Sequence, residues 1–516
     1  MYLAGLDVGT IGCKFVIFTE NGNIVSSAYR EYPLIIPRPG WLELDPKVVW
    51  KGIVETIKEA LALSKIDPDE LASLAVSAQG EAFIPLGKNG NVLYNSIVTS
   101  DSRAQSQTEW LKRKFGPWDL FKLTGHVIFP VFTLNKILWM RENMPRIYEA
   151  TWKFLLWEDY VNWRFTGRAT TDHSLACRTL MYDIGKGNWS EEILGTCKVQ
   201  MDSLSEIIPS GDVVGNVTRS SSSETGLSQK TCVVAGGHDQ ACGSLGAGVI
   251  EPGPIYNVAG TVECCMPAVD DPILTRGMFD SGYASYPHVV PGKFLILAYN
   301  ANAGLVLRWF RDNFADEERE EALRRGVSAY KLLDEAASKV PYGASKLLFL
   351  PYFTGATTPN WNANARGVLF GLALHHGRPE VFRAILEGLA YELRHNLERL
   401  TENGVGITEL RSVGGGAKSP LWLQIKADVT GIRVAVPDVP EASSLGAALL
   451  AGTGVGIYPS IQDASRRVYR AGSSYEPDRS TRRVYELNYG IYRSLYVSLA
   501  EAFSNLSGIE TQDHSG

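Results

Sequence analysis

Three times in this chain an apolar run of strand length ends in a glycine-bearing turn. Residues 3–6 lead into Asp7-Val8-Gly9-Thr10, residues 254–259 into Gly260-Thr261, and residues 410–413 into Gly414-Gly415-Gly416. Glycine loses more chain entropy on folding than any other residue. Its recurrence at strand ends therefore points to close approach of a ligand to the backbone. Residues 14–18 and 24–29 read as two further strands, joined through Glu20-Asn21-Gly22-Asn23 into an antiparallel meander. Asp45-Pro46 then supplies an N-cap and a first helical position, followed by Val49, Ile53, Ile57, Ala60 and Leu61 at helical spacing. A strand over 74–77 ends at Gln79-Gly80-Glu81. The second half repeats the style, with strands over 254–259, 347–351 and 410–413, a polar loop over 354–366 and helices over 380–400 and 419–430, the last stopped by Gly431. The class is mixed α/β.

At 516 residues the chain is long enough for several cores, and a boundary falls in the Gly- and Pro-rich stretch from Gly246 to Pro254. This predicts domains over 1–249 and 250–508, with a polar, disordered tail after Gly508. With 50 Lys+Arg against 56 Asp+Glu, the net charge of −6 argues against a sequence-independent nucleic-acid binder. No apolar run of about eighteen residues is present, so no membrane span is expected. Met1 to Asp7 lacks the basic start and apolar stretch of a signal peptide. Seven cysteines, with no C-x-x-C pair, fit a reduced, cytoplasmic setting.

Two nucleotide motifs fail. Ala417 precedes Lys418-Ser419 where a P-loop needs glycine, and Gly452-Thr453-Gly454-Val455-Gly456 has neither the spacing nor the preceding strand of a dinucleotide fingerprint. What the chain does offer is three glycine turns in an α/β frame, which suits a nucleotide held between two lobes. Thr10 brings a hydroxyl donor, and Asp7 can orient Mg²⁺ through water. Gly236-Gly237-His238-Asp239-Gln240 follows an apolar strand over 232–235 and precedes the small-residue helix that starts at Ala241. Asp239 at that junction reads either as a helix N-cap or as the base that takes a proton from a substrate hydroxyl during phosphoryl transfer. His238 reads as a hydrogen-bonding neighbour.

Taken in order, these segments resemble the FGGY carbohydrate kinases over nearly the full length. Residues 7–14, ending at Lys14, are similar to the family's first phosphate motif, and Thr133-Leu134-Asn135-Lys136-Ile137-Leu138-Trp139 to its first signature. Thr171-Asp172-His173-Ser174 with Ala176 and Arg178-Thr179 resembles the stretch between motifs. Gly371-Leu372 and Ala384-Ile385-Leu386-Glu387 resemble the second signature. Gly414, Gly415, Gly416 and Ala417, with Trp422, Gln424, Ala427 and Asp428, resemble the adenosine motif, which residues 441–448 complete. Some positions depart from the pattern. Gln79-Gly80-Glu81 stands where xylulokinases carry Gln-Met-His-Gly and glycerol kinases Gln-Arg-Glu. Thr99 stands where the family often has Trp, and residues 355–359 lack the usual Glu-Arg. Residues 307–312 look like the autoinducer-2 kinases.

The resemblance implies two actin-like, ribonuclease-H-like domains (the ASKHA fold) closing on a deep interdomain cleft. It implies an ATP-dependent kinase of a small sugar or polyol, a ketopentose such as xylulose first, then glycerol, erythritol, erythrulose or an autoinducer-2-like substrate. Asp239 is the implied general base and, with Asp7, the implied Mg²⁺ residue through water. Asp7, Gly9, Thr10, Lys14, Gly260 and Thr261 would hold the ATP phosphates, and Gly414 to Ala417 the adenosine. Gln79, Gly80, Glu81, Asp101, His238 and Asp239 would line the sugar site, because carboxylates accept two hydroxyl bonds each. A homodimer stays open. Two rivals also stay open: an actin- or Hsp70-like nucleotide switch, and a silent sugar sensor.

Overall fold

The computed structural model describes residues 1–439 and 441–509. The tail expected to be disordered lies, past Ile509, outside the described residues. The opening meander forms as the sequence predicts. Strand Tyr2–Val8 pairs antiparallel with Gly12–Thr19, which pairs antiparallel with Ile24–Glu31. On its other side Tyr2–Val8 pairs parallel with Leu71–Ala78, which pairs parallel with Cys232–His238. A short edge strand, Val213–Asn216, completes six strands. The 2–8 and 71–78 strands are buried almost throughout, as parallel strands covered on both faces must be. Helix Pro46–Ser64 begins at Asp45, whose carboxylate accepts the Lys47 amide at 2.8 Å. It packs on the two hairpin strands, and helix Trp157–Thr166 packs on the parallel ones.

The second half repeats the plan. Gly253–Ala259, Glu263–Val269 and Phe294–Asn300 form the meander, and Ile407–Val413 and Val434–Pro437 add in parallel beside Gly253–Ala259. The same strand order in both halves is the two-domain, ribonuclease-H-like architecture. The predicted strand over 347–351 shortens to Leu348–Leu350 and pairs with Val368–Phe370, so the long polar loop is the connection of an antiparallel pair. Helix Arg378–Glu402 is longer than its apolar stripe predicts, because Glu380 caps it by accepting the Gly377 amide at 2.9 Å.

Two helices join the halves. Asp239–Gly246 follows the last parallel strand of the first sheet, and Ala442–Gly454 comes from the second half yet packs on strands 2–8, 71–78 and 232–238 of the first. They cross backbone to backbone. A Cβ on Gly446 would stand 1.9 Å from the Cys242 carbonyl oxygen, and one on Gly246 2.0 Å from that of Ala442. A Cβ on Gly5 would lie 1.8 Å from the Ser444 carbonyl oxygen, so the same helix also presses on the first strand. Residues 43–44, 83–87, 96–97 and 151–156 form a smaller sheet that builds a lobe onto the first domain with helices Gln105–Phe115 and Thr133–Asn143. No helix among the described residues is long and apolar enough to cross a membrane.

The crossing has a measurable consequence. Gly446→Ala forces a backbone shift and is expected to lower stability by about 1–3 kcal/mol in spite of alanine's better helix propensity. Gly490→Ala, in helix Arg482–Ser507 with open space around it, is expected to raise stability by up to about 1 kcal/mol. Thermal unfolding of the two variants checks the opposite signs; equal shifts would mean that the crossing tolerates a methyl group.

Candidate active site

The first glycine turn is braced from three sides. The Gly9 amide donates to the Gly12 carbonyl at 3.0 Å. Gln79 Nε2 donates to the Gly9 carbonyl at 3.1 Å, and Thr10 Oγ1 donates to Gln79 Oε1 at 2.8 Å. Tyr32 also donates to the Gly9 carbonyl. Gln79, expected on the sugar, is thus engaged on the phosphate-type turn. Asp7 sits at the end of its strand, where Ser77 Oγ donates to it at 2.7 Å. Burial pushes the Asp7 carboxyl above the usual range, and the Ser77 bond opposes the shift.

Asp239 is the first residue of helix Asp239–Gly246, and the cap position falls on His238. The N-cap reading of Asp239 is therefore corrected: the strand stays extended through His238, which takes the cap position, so the helix starts one residue earlier than a capping aspartate requires. Its side chain is 29% exposed, against 6% for His238, whose Nε2 lies 3.3 Å from Asp239 Oδ1. Burial, then the neighbouring Asp7 charge, holds the Asp239 carboxyl up to about 7. Burial first, then the Arg178 charge, keeps His238 well below its ordinary value. A neutral imidazole at this distance sets the polar edge of His238 beside the Asp239 carboxylate. Behind the strand, Glu158 accepts the Gly236 amide at 2.7 Å and Ser174 Oγ accepts the His238 amide at 2.9 Å, so the strand end is held in place.

The second-half turns converge on the same region. A Cβ on Gly414, at φ +83°, would meet the Ala259 carbonyl oxygen at 2.9 Å, which sets the Gly414–Ala417 stretch beside the Gly260-Thr261 turn. Thr261 accepts the Leu305 amide at 3.0 Å. Lys14 reaches across the halves, with Nζ 2.8 Å from both oxygens of Glu441. Sequence reasoning assigned Lys14 to phosphate and read Glu441 only as the first residue of the stretch that completes the adenosine motif. The partners are 427 positions apart, and no local pattern joins them.

On the sugar side Glu81 is held at φ +61°, a left-handed conformation uncommon for a non-glycine residue. Arg178 forms an ion pair with its carboxylate, Thr99 Oγ1 donates to Oε2 at 3.1 Å, and Thr133 Oγ1 donates to its carbonyl at 2.9 Å. Lys136, fully buried, donates to the Val98 carbonyl at 2.8 Å and ties the Thr99 segment in place beside Glu81. Strain maintained by this many contacts is typical of a functional position. Gly80 packs on His238, because a Cβ there would lie 3.0 Å from the ring. Asp101 differs from Glu81. Its oxygens accept from Arg103 N and Nε, each at 2.9 Å, from Arg103 Nη2 at 2.8 Å and from the Leu42 amide at 2.6 Å. That fills the acceptor positions of a carboxylate, so Asp101 shapes the lobe and has none left for a sugar hydroxyl. Arg178 and Lys136 were legible only as letters of motifs; their contacts come from the packing of distant segments.

Among the described residues no group of three or more His, Cys, Asp or Glu side chains could hold a metal by itself. A separate groove of about 920 Å³, lined among others by Glu398, Asp428 and Arg482, contains none of these residues. Comparison with known proteins agrees with the geometry. The models for the N-terminal and C-terminal domains of the FGGY family of carbohydrate kinases match residues 2–246 and 255–455. A xylulose kinase of Bacillus subtilis (strain 168) is 30% identical over 495 residues, 96% of either chain. A gluconokinase of the same organism is 30% identical over 477 residues, 92% of this chain and 91% of that one. The crystal structure of a ligand-bound xylulose kinase from Lactobacillus acidophilus superposes with a TM-score of 0.89 at 26% identity, covering 98% of this chain and 99% of the other. Two matched domains, the duplicated sheet and relatives aligned from end to end lead to one conclusion: the chain belongs to the FGGY family of carbohydrate kinases.

Proposed function

We propose that the protein transfers the γ-phosphate of ATP to a hydroxyl of a ketopentose such as xylulose, with Asp239 as general base. The observation that carries this is Asp239 itself. It opens helix Asp239–Gly246 at the end of the last parallel strand, its side chain is 29% exposed, and burial and the Asp7 charge raise its carboxyl to about 7. A base of that strength is matched to neutral pH. His238 lies beside it at 3.3 Å, and Ser77 orients Asp7. The xylulose kinase relatives support the ketopentose.

The ATP phosphates would rest on the turns at Asp7–Thr10 and Gly260-Thr261, and adenosine against Gly414–Ala417. A carboxylate whose proton affinity is raised by a neighbouring carboxylate suits Mg²⁺, which takes one or two carboxylates plus substrate phosphates. Bound at Asp7 and Asp239 through water, it would neutralise charge on the transferring group. The chain's own part is positioning: Asp239 accepts the hydroxyl proton, Glu81 accepts a second hydroxyl, and the lobes exclude water.

Asp239→Asn keeps the size of the residue and removes the base. Turnover is expected to fall by about 10²–10⁴, with ATP and sugar binding retained by calorimetry; a loss under tenfold would assign the proton to another group. Lys14→Ala removes a charge-assisted contact worth about 1.5–3 kcal/mol, so KM for ATP is expected to rise about ten- to a hundredfold while sugar binding is unchanged. An unaltered KM would leave Lys14 as the partner of Glu441 alone.

A further inference from the structure

The proposed site carries one side chain whose position the transfer reaction does not itself require. Arg178 lies 97 residues from Glu81 in sequence yet closes an ion pair with it, and the pair is buried, at 10% and 3% side-chain exposure. The guanidinium stands 5.7 Å from the Phe132 ring and 5.5 Å from the Tyr286 ring, which hold it in place. One nitrogen serves Glu81. The Nε–H is buried and has no hydrogen-bond partner among the described residues. An unpaired buried donor is costly, and a group that binds beside it can complete it. A Cβ at Gly80 would lie 3.0 Å from the His238 ring and in ordinary contact, at 3.5 Å, with Arg178 Cβ, so both side chains pack on this glycine.

A carboxylate and a guanidinium side by side offer an acceptor and a donor. A hydroxyl matches both, because it donates one proton and accepts through its lone pairs. A substrate carboxylate accepts only. It would have to displace Glu81 from Arg178 and would add to the negative charge of Glu81 and Asp7 that already acts on Asp239. We propose that Arg178 is a specificity-determining residue: with Glu81 it reads a sugar hydroxyl and selects neutral polyhydroxy substrates over sugar acids. The inference rests on the transfer site proposed above.

The test is ADP release with xylulose, glycerol and gluconate as acceptors. The parent enzyme is expected to favour its best neutral acceptor over gluconate by at least about tenfold in kcat/KM, the scale of one charge-assisted hydrogen bond. Arg178→Lys keeps the charge and loses the planar fork. It should lower kcat/KM for the neutral acceptor by about ten- to a hundredfold, mainly through KM, with KM for ATP unchanged. Glu81→Gln leaves Arg178 without its counter-charge and should shift the neutral-to-gluconate ratio toward gluconate by about tenfold or more. A purely structural Arg178 would change thermal stability and leave the ratio alone. A parent enzyme that prefers gluconate, or an unmoved ratio in both variants, overturns the inference while leaving the kinase site intact. Should Arg178→Lys not fold, the parent ratio and Glu81→Gln decide. No transfer to and no binding of any acceptor would overturn the site reading and this inference together.

Discussion

The site depends on a contact between two backbones. Helices Asp239–Gly246 and Ala442–Gly454 cross where Gly246 and Gly446 have no side chains, and each would drive a Cβ into a carbonyl of the other. Interiors are close-packed, so helices this near each other leave little freedom of placement. One helix begins at Asp239; the other begins just after Glu441, the partner of Lys14. Ser443 Oγ donates to the Asp239 carbonyl at 3.2 Å and fastens the two starts together. The crossing thus brings the first turn of a helix from each half to one cleft.

Charge then differentiates residues that share a chemical type. Asp239 and Asp101 are both aspartates beside the cleft, but only Asp239 keeps a free acceptor and a raised proton affinity. Asp101 is bonded on both oxygens to Arg103, whose guanidinium also meets Glu43 at 2.8 Å and lies 4.1 Å from the Trp41 ring. Both buried carboxylates of this network meet the Arg103 guanidinium, as burial of charge requires, while Arg103 Nη1 has no hydrogen-bond partner among the described residues. The network makes a wall beside which Glu81 is paired with Arg178 instead. Lys136, pushed down to about 7 by burial, braces the wall through the Val98 carbonyl.

The sequence by itself determined the class, the strand-ending glycine turns, the meanders and the helix starts, because these follow from local periodicity, capping and the conformational freedom of glycine. Asp45 caps its helix as read, the helix read from Ser419 starts at Pro420 with Ser419 as its cap, and Gly431 ends it in the left-handed region. The ordered motifs also carried the family. Only the tertiary structure decided which motif residues face the cleft. Gln79 turned to brace Gly9, Asp101 was consumed by Arg103, and Arg178 was carried to Glu81. It also sent Ala442–Gly454 across the first sheet, since contacts between segments hundreds of residues apart depend on packing and on the electrostatics of burial, and neither leaves a period in the chain.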